Sequence, residues 1–207
     1  MTVRTFPLIW TIAFYGIAFV GRAWLHHHRF GHSGLMLFRS SQWMQHVREA
    51  GLVVLSVALL AQATIYALRP ELLAPLSLFT PPTGGLAFIL GALLLAAGGA
   101  FMVVAQLDLG ASWRVGFDEA ARPGLVTTGV YRFSRNPIYL ALFVSLAGLL
   151  LLLPTWLSLV MFIGTIVAIR NQVHEEERFL RRKYGDEFTA YARRVGRFVP
   201  GFGTLSN

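Results

Sequence analysis

Cysteine is absent from all 207 residues, which excludes disulfides, thiolate metal sites, iron–sulfur clusters and a cysteine nucleophile together. Lysine occurs once, at Lys183, so a phosphate-binding loop of the Walker type has no lysine to use. No G-x-G-x-x-G run follows a strand pattern either, and P-loop and Rossmann nucleotide sites are both excluded. Charge is scarce: Asp, Glu, Lys and Arg make up 14% of the chain, against roughly 25% in an ordinary globular protein. What is plentiful is apolar, at 55% of residues. A soluble domain this apolar could not cover itself with polar surface. The composition therefore predicts an integral membrane protein with basic loops.

Five apolar stretches follow one another: 7–25, 51–68, 85–105, 137–153 and about 155–169. Each approaches the roughly 20 residues that a helix needs to cross about 30 Å of hydrocarbon. Pro154 alone separates the last two, which predicts a tight helical hairpin with proline in the first turn of the returning helix. The first stretch is too long for a cleavable leader and has no small-residue cleavage site after it. Of the 18 cations, 16 fall in three segments, 22–49, 106–136 and 170–207; only Arg4 and Arg69 lie elsewhere. Under the positive-inside rule this places the N-terminus outside and the C-terminus in the cytoplasm, with an odd number of spans. The expected fold is all-α: a polytopic membrane bundle of five transmembrane helices with a cytoplasmic C-terminal helical segment. Residues 1–207 form a single membrane domain, with 106–136 and 170–207 as its cytoplasmic portions. Arginine in place of nearly all lysine suggests a GC-rich coding sequence and a bacterial inner membrane. Because the cations alternate with spans, as topology requires, nucleic acid is not an expected partner. Membrane lipids are, and oligomeric state is not legible.

The cytoplasmic segments carry the pattern. Gly124-Leu125-Val126-Thr127-Thr128-Gly129-Val130-Tyr131 is a β-branched run framed by glycines, just before Arg135-Asn136-Pro137-Ile138-Tyr139. Pro137 suits the first position of a helix capped by Asn136. A helix start there, with Arg135 beside it, would attract an anion; the alternative is a capped helix with Arg135 snorkelling to lipid phosphate. From Arg170 to Tyr184 no Gly or Pro intervenes, so the fifth helix is expected to project beyond the membrane. Gly185 then ends it, before a second helix over Glu187–Val195. Phe179, Leu180, Tyr184, Phe188, Tyr191 and Val195 form an apolar face whose simplest partner is the third loop. The run Glu175-Glu176-Glu177 is either a solvated face or a site for an ammonium group. The triplet His26-His27-His28 with His32 reads as interfacial or loop residues, since adjacent histidines do not share a helix face, and no metal site is expected. Gly84, Gly85, Gly91, Gly98 and Gly99 read as allowing close helix packing.

Four ordered blocks resemble the isoprenylcysteine carboxyl methyltransferase family and the related phospholipid methyltransferases. They are Leu125–Tyr131, Arg135–Tyr139, Glu175-Glu176-Glu177, and the run Tyr184-Gly185-x-x-Phe188-x-x-Tyr191-x-x-Arg194-Val195. The resemblance covers about 109–200, roughly the C-terminal half. It implies a membrane enzyme that uses S-adenosyl-L-methionine to methylate a lipid or another lipophilic small molecule. It also implies a cytoplasmic cofactor pocket closed by the third loop and the tail. By position, Pro123, Gly124, Leu125 and Val126 match the stretch that holds adenosine, and Tyr131 a cofactor-contacting tyrosine. Asn136, Pro137, Ile138 and Tyr139 match the block at the methionine end, and Glu176 the glutamate for the amino group.

Two departures bear on the acceptor. Asn136 stands where many relatives have His, and Gln172 stands where carboxyl methyltransferases have an arginine for the substrate carboxylate. Gln172 is therefore the candidate substrate residue. Arg135 and Glu175 are the candidates for catalytic roles, with Glu175 or His174 as the base that an amine or phenol acceptor would need. The rival readings are an NADPH-dependent membrane sterol or enone reductase, and a scaffold without enzymatic activity.

Overall fold

The computed structural model describes residues 3–39, 43–116 and 124–205. Within them all the regular structure is helical: pairing of extended backbone is limited to three isolated bridges. The first apolar stretch forms α1 (Phe6–Tyr15) and α2 (Arg22–Phe30), joined without a break by a π-helical turn over Gly16–Gly21. Next come α3 (Trp43–Leu68), α4 (Gly85–Leu109), α5 (Pro137–Leu152) and α6 (Trp156–Arg194). Four helical stretches, Val3–Phe30, Trp43–Leu68, Gly85–Ser112 and Trp156–Arg194, are long and apolar enough to cross a membrane. The chain is an integral membrane protein. The remaining apolar helix, α5, has 16 residues and reaches only about 24 Å.

Close packing of α4 on α5 is what the glycines permit. A Cβ on Gly98 would come within 2.3 Å of Ser145 Oγ and 2.9 Å of the Ala141 carbonyl, and one on Gly91 would meet Leu152 at 2.7 Å. Gly148 answers from α5, against the Gly91 carbonyl and the Leu95 amide. Small residues at such a contact let backbones approach where lipid supplies no hydrophobic drive. Gly84 and Gly85 depart from expectation: neither has a neighbour within 4 Å, and they lie at the start of α4, where Gly85 has φ +71°. The main core joins Leu59, Ala63 and Tyr66 of α3 to Leu95 of α4, Leu149 and Leu152 of α5 and Met161 of α6. Buried Gln62 donates to Ser158 Oγ at 2.6 Å, a polar tie between α3 and α6.

The α5–α6 hairpin forms, with its proline in a different place from the one expected. Pro154 precedes the cap. Thr155 is the N-cap residue, its Oγ1 accepting from the Ser158 amide at 3.0 Å. The tip is clasped from the α3–α4 loop, where the Leu78 amide donates to the Pro154 carbonyl at 2.7 Å. The histidine triplet also differs from expectation. His26 is fully buried, with Nδ1 2.8 Å from the His32 carbonyl and its ring beside Trp113; His27 and His28 stay exposed. Position on the α2 face decides this, since adjacent helical residues point about 100° apart.

Candidate functional site

The apolar run of α6 ends at Ile169, and the helix projects onward to Arg194. At Gly185 the helix breaks as the sequence suggested: φ is +50° and ψ −118°, and a second helix follows after the kink. Beyond the bend, Phe188, Tyr191, Ala192 and Val195 form a small core with Leu125 of the third loop and with Leu205. The apolar face thus finds the loop that the sequence suggested, and the chain's last segment as well.

Two fastenings hold this tail over the start of α5. Pro137 begins that helix, and Asn136 sits at its cap. Asn136 Nδ2 does not cap the helix; it donates to the Arg197 carbonyl at 3.0 Å. Next to it the Arg135 amide donates to the Gly196 carbonyl at 3.0 Å. The Arg135 guanidinium, 2% exposed, is wholly committed to the tail. Its Nη2 donates to Glu177 at 2.8 Å and to the Gly203 carbonyl at 2.9 Å, and Nη1 to the carbonyls of Ala192 (2.9 Å) and Val195. Arg197 grips the same carboxylate from the other side at 2.7 Å. Burial pushes the Glu177 carboxyl up, but the hydrogen bonds and charges of Arg197 and Arg135 win, and its pKa falls below the usual carboxylate value. Farther back, Tyr191 donates to the Tyr131 carbonyl at 2.6 Å, and burial raises the Tyr191 phenol to about 12. Arg135, a candidate for catalysis, is thus turned to the tail, because the carbonyls closing α6 and the Glu177 carboxylate all converge on it.

One residue earlier on α6 the chemistry changes. Glu176 Oε1 accepts from the Tyr139 hydroxyl at 2.7 Å and from Gln172 Nε2 at 2.9 Å. Gln172 Oε1 in turn accepts from Arg48 of α3 at 3.2 Å. Burial raises the Glu176 pKa, and the bonds from Gln172 and Tyr139 only partly oppose this. Such a carboxylate gains from a cation placed beside it. Tyr131, which is buried, lies close enough for Glu176 to add to the rise in its own pKa.

Tyr131, Tyr139, Gln172 and Glu176 are therefore brought together, while Pro137 is buried and the Asn136 side chain is turned to Arg197. Ile138 points elsewhere, into the packing of Ala18, Met102 and Ala141. Glu175 is exposed, about 100° round the helix from Glu176, and away from the cluster. Pro123 lies outside the described residues. Leu125 packs on the tail core, Gly124 is exposed and Val126 half-buried. The loop itself is pinned by Asp108, whose Oδ2 accepts from the Val130 amide at 2.7 Å. Gly129 is obligatory beside it: φ is +59°, and a Cβ would fall 2.1 Å from Asp108 Oδ2. Sequence reasoning missed Arg48, Asp108 and Arg197, and gave Glu177 no role apart from the glutamate run. None stands out by composition; the one available signal was a carboxylate next to Glu176 with spare arginines downstream.

An all-helical membrane protein whose own C-terminal segment folds a half-buried acid against a helix start is the class that fold and site define. Residues 86–187 match the model of the phospholipid methyltransferase family. The chain is also similar to the protein-S-isoprenylcysteine O-methyltransferase of Saccharomyces cerevisiae, 39% identical over 77 residues, or 37% of this chain and 32% of the yeast protein. It thus aligns with about one third of the length of that curated relative. The family match takes in α4, α5 and α6 as far as Glu187, just past the bend.

Proposed function

We propose that the protein transfers a methyl group from S-adenosyl-L-methionine to a lipophilic acceptor in the membrane. The observation that carries this is the convergence of Tyr139, Gln172 and Glu176, with a half-buried carboxyl of raised pKa and no donor reaching its Oε2 among the described residues. The accepting carboxylate suits the ammonium group at the cofactor's methionine end. In this reading Glu176 takes its ammonium group, while main-chain groups of Pro123 to Val126 and the Tyr131 ring hold its adenosine. When bound, the cofactor supplies a methyl group already activated on a sulfonium. The residues of this chain then have to align the partners and exclude water. The latch of Arg135, Asn136, Arg197 and Glu177 serves the second task by keeping the tail over the start of α5.

Gln172 and Arg48 would face the acceptor. Arg48 is exposed and brings a guanidinium to Gln172 from a different helix, which favours an acceptor with an anionic or strongly hydrogen-bonding head. A carboxylate acceptor needs no base. The charge asymmetry of the loops supports an N-out, C-in orientation in a bacterial inner membrane, with α5 as a short fifth crossing. Isothermal titration of detergent-solubilised protein with S-adenosylhomocysteine tests the reading. Saturable binding is expected, weakened at least about tenfold by Glu176→Gln through loss of a charge-assisted contact. No heat at millimolar ligand in the wild type would refute it, and protection by NADPH instead would favour the reductase.

A further inference from the structure

We infer that the cleft between α6 and the last segment of the chain is a second site, one that binds a phosphate-bearing anion. The cleft has a volume of about 470 Å³. One wall is the α6 face that carries His174, Arg178, Arg181 and Arg182; Arg197 and Leu205 form the other, and Glu177 lies at the base. Spacings of three and four put the α6 residues on one stripe of the helix. Glu177, the one carboxylate among them, is already shared by Arg135 and Arg197. Arg178, Arg181 and Arg182 are exposed and, among the described residues, form no ion pair.

Four guanidiniums against one carboxylate leave about three positive charges uncompensated around a concave space. Like charges three or four residues apart destabilise a bare helix, and a bound anion would reverse that cost. The forked donors of arginine match phosphate oxygens in pairs. Leu205 is the sole apolar lining residue, so the cleft suits a polar head and not an acyl chain. It is separate from the Glu176 cluster, because Arg178 lies about 200° round α6 from Glu176. The shared chemistry is a phosphate ester, whether from a lipid headgroup at the membrane edge, where α6 emerges, or from a soluble metabolite.

The test is thermal unfolding of the full chain in maltoside detergent, followed by tryptophan fluorescence. One arm titrates inorganic phosphate against chloride at matched ionic strength. The other adds dioctanoyl phosphatidic acid against dioctanoyl phosphatidylcholine. A ligand held by the native state raises the midpoint saturably. The expected result is such a rise in at least one arm, with the half-saturating concentration raised about tenfold or more in the triple variant R178Q/R181Q/R182Q, as loss of charge-assisted donors requires. The charge-retaining R178K/R181K/R182K should fall between wild type and the glutamine variant, since it keeps the charge and loses the fork. A response to phosphate alone assigns the site to a soluble ester, and a response to the lipid alone assigns it to the leaflet. Should the triple glutamine variant fail to fold, single Arg181→Gln carries the comparison. No saturable rise in either arm, or equal responses in wild type and the glutamine variants, overturns the inference.

Discussion

Replacing Arg135 with methionine should release the tail while leaving the membrane bundle intact. The side chain is 2% exposed and ion-paired to a carboxylate that is itself 12% exposed. Breaking a buried pair of this kind costs about 3–5 kcal/mol, because the abandoned partner keeps its desolvation penalty. Here Arg197 continues to hold Glu177 at 2.7 Å, so the lower end, about 3 kcal/mol, is expected. At 1.4 kcal/mol per tenfold, the undocked fraction of the tail rises by about a hundredfold. The carbonyls of Ala192, Val195 and Gly203 lose their donor in the same step. Tryptic cleavage after Arg193 and Arg194 reads this population when opening is fast relative to cutting. The variant should be cut about a hundredfold faster, while its main unfolding midpoint moves little, since the tail opens as a local unit. Arg178→Gln, which breaks no ion pair, serves as the control. A cleavage rate within threefold of wild type would refute the latch.

Gly98→Ala should lower the unfolding midpoint, because the new methyl group meets the Ser145 amide at 2.8 Å and the Ala141 carbonyl at 2.9 Å, and overpacking of this kind costs about 1–3 kcal/mol. Gly51→Ala, with nothing within 4 Å, should instead be neutral or stabilising by up to about 1 kcal/mol through helix propensity; the reverse order in a thermal scan would discredit the packing account. Burial raises the Glu176 pKa, so its carboxyl neutralises as pH falls toward that raised value, and only the ionised form attracts an ammonium. Affinity for S-adenosylhomocysteine should therefore strengthen as pH rises through that pKa and level off above it. In Glu176→Gln the same titration should lose this rise; a pH dependence identical to wild type would take the role away from Glu176.

Membrane residence, an all-helical build and the order of the apolar segments follow from composition and from the length of each run, because those properties depend on local chemistry alone. The proline start of α5, the break at Gly185 and the use of Gly91 and Gly98 at a close contact were legible for the same reason: each is imposed by one residue's own geometry. The three glutamates were not separable in this way. Neighbours on a helix point about 100° apart, so the rotation of α6 against α5 decides which carboxylate does what. It leaves Glu175 in solvent, sets Glu176 against Tyr139 and Gln172, and places Glu177 between two arginines. Arg135 likewise read as an anion-attracting charge at a helix start. Only with the tail folded back do three of its carbonyls and Glu177 converge on that guanidinium, across 42 to 68 residues of chain. Arg48 joins Gln172 over a separation of 124. Contacts of that range leave no periodic trace in a single sequence, since both partners look like ordinary solvated charges until the fold removes the water between them.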